Sequence, residues 1–138
     1  VEVHVSESLR DKVTESSLDA VLRALFGSIE SGDYFSFNAF LPFAGEGRRE
    51  AIEEIRHTVA SHYDVASCLE IGPRYLHSTG QLHKGGPNKG VFLILSADEP
   101  KDIEIDDPRA RSLGELAKAQ ALGDFTILSF VLSGFNGS

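Results

Sequence analysis

The sequence predicts an α/β layered fold, a mainly parallel sheet with helices on both faces. Three observations carry that expectation. Four apolar runs, at 34–43, 65–71, 91–97 and 125–132, show little polar alternation, as strands buried on both faces do. Segments of helical periodicity alternate with these runs, which is the order of a layered α/β domain. A glycine-rich stretch follows directly on the second run, and in parallel sheets ligands sit beyond the carboxyl ends of strands.

Taken in order, residues 1–5 alternate apolar with polar and predict a short strand or entry arm. Leu18, Val21, Leu22, Leu25, Phe26 and Ile29 lie on one helical face, and Gly32 is the expected stop. Residues 34–43 are aromatic-rich and predict a buried strand closed by Pro42, followed by a turn at 45–47. Residues 48–62 predict a helix with Ala51, Ile52, Ile55 and Val59 inward and Glu50, Glu53, Glu54 and Arg56 outward. Strand 65–71 completes a strand-helix-strand crossover. After the strand at 91–97, residues 98–111 are charged and predict a surface connection with a short extended piece at 103–105. Ser112 and Glu115 match the S-x-x-E box that opens a helix, with Leu113, Leu116, Ala117 and Gln120 along one side. Gly123 is the expected end of that helix, ahead of a last strand at 125–132.

The 138 residues predict one domain, long enough to bury a core without staples. The formal charge of −8 argues against a nucleic-acid partner. No apolar run approaches the roughly 20 residues of a membrane span. With no signal peptide either, the expected compartment is cytoplasmic. A lone cysteine, Cys68, excludes an intrachain disulfide and reads as a buried, inert thiol. The chain has no methionine, which fits either processing of the initiator or a domain excised from a longer polypeptide.

Residues 72–90, GPRYLHSTGQLHKGGPNKG, depart from the rest. They hold five of the thirteen glycines, three of the thirteen Lys and Arg, and no carboxylate. A glycine-rich, cation-only segment in an acidic chain predicts a site for an anionic small molecule. Lys84 beside Gly85 and Gly86 offers a point charge and accessible backbone N–H groups. It is not a phosphate-binding loop of the Gly-Lys-Ser/Thr kind, because a strand rather than a helix follows. Ser78, Thr79 and Gln81 can bond sugar hydroxyls, and Arg74 adds a second charge. His77 and His83 are the candidates for proton transfer on a sugar or acyl oxygen. No metal is expected, because neither Cys68 nor a nearby carboxylate is suitably spaced to join them. No cofactor is expected. Glu70, just before the segment, is the one carboxylate placed to reach it.

The run GPRYLHSTGQLHKGGPNKGVFLIL, the later SLGELAKAQALGD, and the earlier GDYFSFNAFLP with its following helix resemble the C-terminal part of a glucose-6-phosphate isomerase. They are most similar to the isomerase half of bifunctional transaldolase/glucose-6-phosphate isomerases. The resemblance spans about residues 31–128. It implies a sugar-isomerase-like C-terminal subdomain acting on glucose 6-phosphate and fructose 6-phosphate, an aldose–ketose interconversion through an enediol. It places the ring-opening histidine on His83, with His77 as the alternative, and a phosphate or enediolate contact on Lys84. The base glutamate and the sugar-phosphate loops of that family lie upstream of the matching segment. The resemblance thus implies a piece of a longer enzyme, completed by upstream isomerase and transaldolase domains and inactive by itself. Two other expectations stand beside it: a non-catalytic sugar-phosphate or anion-binding module using the same segment, and a structural or dimerisation domain.

Overall fold

The computed structural model describes residues 2–41, 47–97 and 102–134, the last five as backbone alone. Pro42, Gly45, residues 98–101 and the tail from 135 lie outside the described residues. The order of elements is α1 (Glu7–Arg10), α2 (Leu18–Gly27), β1 (Tyr34–Phe40), α3 (Arg48–Tyr63), β2 (Ala66–Ile71), a 3-10 turn (Arg74–His77), α4 (Thr79–Gly85), β3 (Gly90–Ser96), β4 (Glu104–Asp107), β5 (Ala110–Ser112) and α5 (Leu113–Gly134).

β1, β2 and β3 form a parallel sheet in the order β2-β1-β3, so β1 is central. The chain leaves β1 through α3 to reach β2 on one side. It then returns past β1, through the 3-10 turn and α4, to add β3 on the other. This reversal of strand order next to β1 is the topological feature at which α/β sheets build their crevices. The layered α/β architecture read from the sequence is present, with the parallel sheet as its centre.

The strand period of two divides β1 into two different faces. Phe35, Phe37 and Ala39 point to a dry core with Ile29, Ile52 and Val59, packed also by Phe26 of α2. Phe35 and Phe26 meet edge to face at 5.9 Å. Burying such a ring contributes about 1.5–3 kcal/mol, so this apolar side supplies most of the drive for α2 and α3 to cover the sheet. Arg56 of α3 is not free on the polar face, as its position in the sequence suggests. Its guanidinium donates to the Ser67 carbonyl at 3.2 Å and hydroxyl at 2.8 Å, clamping the helix to β2. The opposite face of β1 presents Tyr34, Ser36, Asn38 and Phe40, and is covered by α4, the 3-10 turn and α5.

Of the two readings for the first residues, the strand is absent at 2–5, which leaves the entry arm. Three expectations about elements need correction. The first long helix ends at Gly27, and Gly32 lies in the turn that follows. The segment 72–90 is largely helical rather than an irregular loop, because its 3-10 turn and α4 cover the sheet between β2 and β3. Most important, α5 runs through Gly123 to Gly134, so residues 125–132 are helical and not a fourth strand. The apolar, β-branched run masked a helical face. Ala121, Asp124 and Leu128, three and four apart, are all buried. The charged connection holds more order than a single extended piece. β4 and β5 pair antiparallel, and Asp102 accepts from Ser112 Oγ at 2.5 Å and from the Gly114 amide at 2.8 Å, docking the connection on α5. Half of the expected capping box forms: the Glu115 amide donates to Ser112 Oγ at 3.2 Å. The Glu115 carboxylate reaches one residue further back, to the Arg111 amide at 2.8 Å.

Gly123 is exposed, and a Cβ built there would meet nothing within 4 Å. Substitution Gly123→Ala is expected to stabilise the protein by about 0.5–1 kcal/mol through the lower helix propensity of glycine. Urea unfolding of the two proteins checks this. A lower midpoint for the alanine variant would mean that residues 113–134 are not one continuous helix.

Candidate functional site

The register of the sheet assembles a polar cluster on the second face. Ser36 stands beside Cys68 of β2 and Phe92 of β3, and Asn38 stands beside Glu70 and Ile94. Ser36 and Asn38 are fully buried, so each polar atom there must be satisfied internally. A directed series of hydrogen bonds does this. The Cys68 thiol donates to Ser36 Oγ at 3.3 Å, and the Ser36 hydroxyl donates to Asn38 Oδ1 at 2.5 Å. Asn38 Nδ2 donates to the Tyr75 hydroxyl at 3.0 Å, and that hydroxyl donates to Asp124 Oδ2. Asp124 Oδ1 lies 2.7 Å from Lys84 Nζ, an ion pair by distance though not aligned as a hydrogen bond. β1, β2, the 3-10 turn, α4 and α5 are all joined by this series.

His83 projects from α4 into the same cluster and is 8% exposed. Its ring lies 5.6 Å from the Tyr34 ring and 5.2 Å from Phe92, centroid to centroid. His83 Nδ1 lies 2.9 Å from the Tyr34 hydroxyl, so one side of the imidazole is held. His83 Nε2 has no hydrogen-bond partner. Its nearest ionic neighbour is Glu70 Oε1 at 3.8 Å, beyond hydrogen-bond range. Burial lowers the imidazole pKa, and the nearby Glu70 and Asp124 charges work in the opposite direction. Burial likewise raises the Cys68 thiol and the Tyr34 and Tyr75 hydroxyls, with the Asp124 hydrogen bond adding to the rise at Tyr75.

Gly90 is needed for this packing. A Cβ there would lie 2.3 Å from the Phe92 ring and 2.8 Å from the Tyr34 hydroxyl, the group that holds His83. Gly72 has the same role at the far end of β2, where a Cβ would lie 2.4 Å from the Phe40 ring.

The residues singled out in the sequence divide into two groups. His83 and Lys84 turn inward and face acids, Glu70 and Asp124. Arg74, His77, Ser78, Thr79 and Gln81 are exposed on the outer side of the segment. Gln81 Nε2 donates to the Leu76 carbonyl at 3.1 Å, closing its own turn. His77 does not share the interior cluster with His83. The cations therefore do not converge on a common pocket, and the segment's positive charge is partly neutralised by the chain's own carboxylates.

Tyr34, Ser36, Asn38, Tyr75 and Asp124 belong to the cluster and are not singled out by the sequence. Alternation along 34–40 was the available signal, since Ser36 and Asn38 interrupt an otherwise apolar strand at a spacing of two. Cys68, read as inert, and Glu70 both belong to the cluster. Cys68 Sγ, a Glu70 carboxylate oxygen and a His83 ring nitrogen lie within 4.8 Å of one another. This corrects the expectation that no third ligand is available near the histidine. Strand β2 supplies two donors to a histidine on α4, at separations that linear spacing does not reveal. Surface grooves lie elsewhere: one of about 600 Å³ is lined by Val3, Val13 and Phe125.

No protein-family model and no curated protein matches the sequence. Among solved structures, the chain is similar to the crystal structure of a hypothetical protein, TT0462, from Thermus thermophilus, with a TM-score of 0.61 and 14% identity. The match covers 90% of this chain and 34% of that one, so the chain spans about a third of the length of the protein it resembles. At this identity the likeness shows the fold alone, and it supports the α/β assignment.

Two measurements test the cluster. Tyr75→Phe removes the hydroxyl between Asn38 and Asp124 and is expected to destabilise the protein by about 1–3 kcal/mol, the cost of stranding buried polar groups. An unchanged urea midpoint would mean the series contributes nothing. Because the His83 pKa is lowered on folding, the unfolded chain binds the extra proton first. Stability is then fully present above the unfolded value of about 6.5 and declines as pH falls below it. His83→Gln should flatten that decline, and an identical pH profile in the variant would contradict it.

Proposed function

We infer that the chain is the C-terminal part of a glucose-6-phosphate isomerase-type enzyme. In this reading His83 is a proton-transfer group of a sugar-phosphate site completed by other segments of a longer polypeptide. The observation that carries this reading is the state of the imidazole. One nitrogen is held by Tyr34, and the other is buried without a partner. A general acid–base catalyst needs this arrangement: a fixed ring orientation and a second nitrogen unoccupied for the substrate. Burial lowers the imidazole pKa, which favours the neutral form that can accept a proton.

The remaining residues take subordinate roles. Tyr34 orients the ring, as the third member of a catalytic constellation does. Lys84 is the candidate contact for a phosphate or enediolate oxygen, and binding there would compete with Asp124 for its ammonium. Gln81, Arg74, Ser78 and Thr79 lie on the exposed side, where they would meet substrate only if the completing segment brings it to that surface. A base glutamate for the C1–C2 proton shift would come from outside the chain.

Isomerisation of fructose 6-phosphate by the longer polypeptide that contains this chain tests the reading. His83→Ala is expected to lower kcat by about 10²–10⁴-fold, the usual contribution of a positioned acid–base group. Unchanged turnover would overturn the role of His83. Submillimolar binding of glucose 6-phosphate by the chain alone, with no turnover in the longer protein, would replace the isomerase with an anion-binding module.

A further inference from the structure

We propose that Cys68 Sγ, a carboxylate oxygen of Glu70 and His83 Nε2 form a binding site for a divalent transition-metal ion, Zn²⁺ being the best match. The site goes beyond the isomerase reading and does not depend on it. The donor set mixes thiolate, carboxylate and imidazole, which suits zinc and excludes magnesium or calcium as the preferred ion. The three donor atoms already lie within 4.8 Å of one another. Tetrahedral zinc at ordinary bond lengths separates such donors by about 3.4–3.6 Å. The Glu70–His83 distance of 3.8 Å is close to that span, and side-chain rotation of Cys68 or Glu70 supplies the rest.

A second, independent observation points to a ligand there. His83 is buried, and its Nε2 faces a carboxylate oxygen with no hydrogen bond to it. The buried ring nitrogen and the carboxylate oxygen stand 3.8 Å apart without a hydrogen bond between them, a gap that a cation can bridge. The opposite nitrogen already has the support that zinc-bound histidines use. Nδ1 lies 2.9 Å from the Tyr34 hydroxyl, and in the metal-binding tautomer Nδ1–H donates to that oxygen while Nε2 takes the ion. Ser36 Oγ, 3.3 Å from the sulfur, stands beside the third ligand. Binding replaces the thiol proton, which leaves to solvent as the zinc–sulfur bond forms. Three protein ligands leave a fourth position for water or an exogenous ligand. Glu70 and Cys68 are both partly exposed on edge strand β2, which gives the ion a route in.

Titration of the chelator-treated chain with Co²⁺, followed by optical absorption, tests the site. One equivalent of cobalt should produce a thiolate-to-cobalt charge-transfer band, which one equivalent of Zn²⁺ should abolish. Cys68→Ser should remove the band, and His83→Gln should weaken binding. Tyr34→Phe, which removes only the support of Nδ1, should weaken it by about 10–100-fold. Where a variant loses its circular-dichroism signature, alkylation of Cys68 in the unmodified protein serves instead, and Zn²⁺ should slow it. Absence of the charge-transfer band, or metal binding indifferent to Cys68 and His83, would overturn the proposal. Zinc also occupies the nitrogen assigned to proton transfer. It should therefore inhibit any turnover that depends on His83, while the band itself is read without turnover, so either reading can fail separately.

Discussion

The hydrogen bond from Tyr75 to Asp124 is the constraint on which the second layer depends. Asn38 sits in the central strand with no solvent exposure, and its amide must be satisfied inside the protein. Tyr75 accepts from that amide and donates its own hydroxyl to Asp124, so one oxygen ties the two groups together. Asp124 in turn is a carboxylate with a 1% exposed side chain, balanced by Lys84. Three elements distant in sequence are therefore held at fixed positions by groups that cannot all be left unpaired. Breaking such a series costs more than an ordinary surface contact, because each break strands a buried polar atom.

The two faces of β1 show how the fold separates stability from chemistry. One face is aromatic and aliphatic, and it holds α2 and α3 by apolar burial. The other is polar and specific, and it admits only elements that bring the matching groups. The 3-10 turn brings Tyr75, α4 brings His83 and Lys84, and α5 brings Asp124. A sheet with one dry and one networked face can place reactive side chains without weakening its core. The strand order β2-β1-β3 makes this possible, since it sends the chain to one side of the central strand and then back across it to the other.

The chemistry of the site follows from an imidazole with unequal nitrogens. Tyr34 fixes one, and the other faces Cys68 and Glu70. The two readings proposed above, proton transfer and metal binding, both turn on that second nitrogen. The acids around the cluster also explain why the segment's positive charge does not act as an open anion trap. Lys84 is already engaged, and Arg74 and His77 lie exposed on the outer side. The similarity to a larger solved protein, of which the chain spans about a third, supports the layered fold.

Local pattern in the sequence was enough to place, within a few residues, the strands observed at 34–40, 66–71 and 90–96 and the helix observed at 48–63. Apolar runs and helical spacing are properties of neighbours along the chain, so they survive in one dimension. The helical identity of 125–134 was not determined there, because an apolar run rich in β-branched and aromatic residues satisfies strand and buried helix alike. Only packing against Phe40 and Tyr75 selects the face that carries Ala121, with Asp124 beside it on the same buried side. The cluster itself was decided by tertiary structure. Cys68 and Glu70 alternate along one strand, Ser36 and Asn38 along another, parallel register sets them side by side, and α4 carries His83 to Cys68 and Glu70. Register is a relation between strands, and spacing within a single chain segment does not contain it.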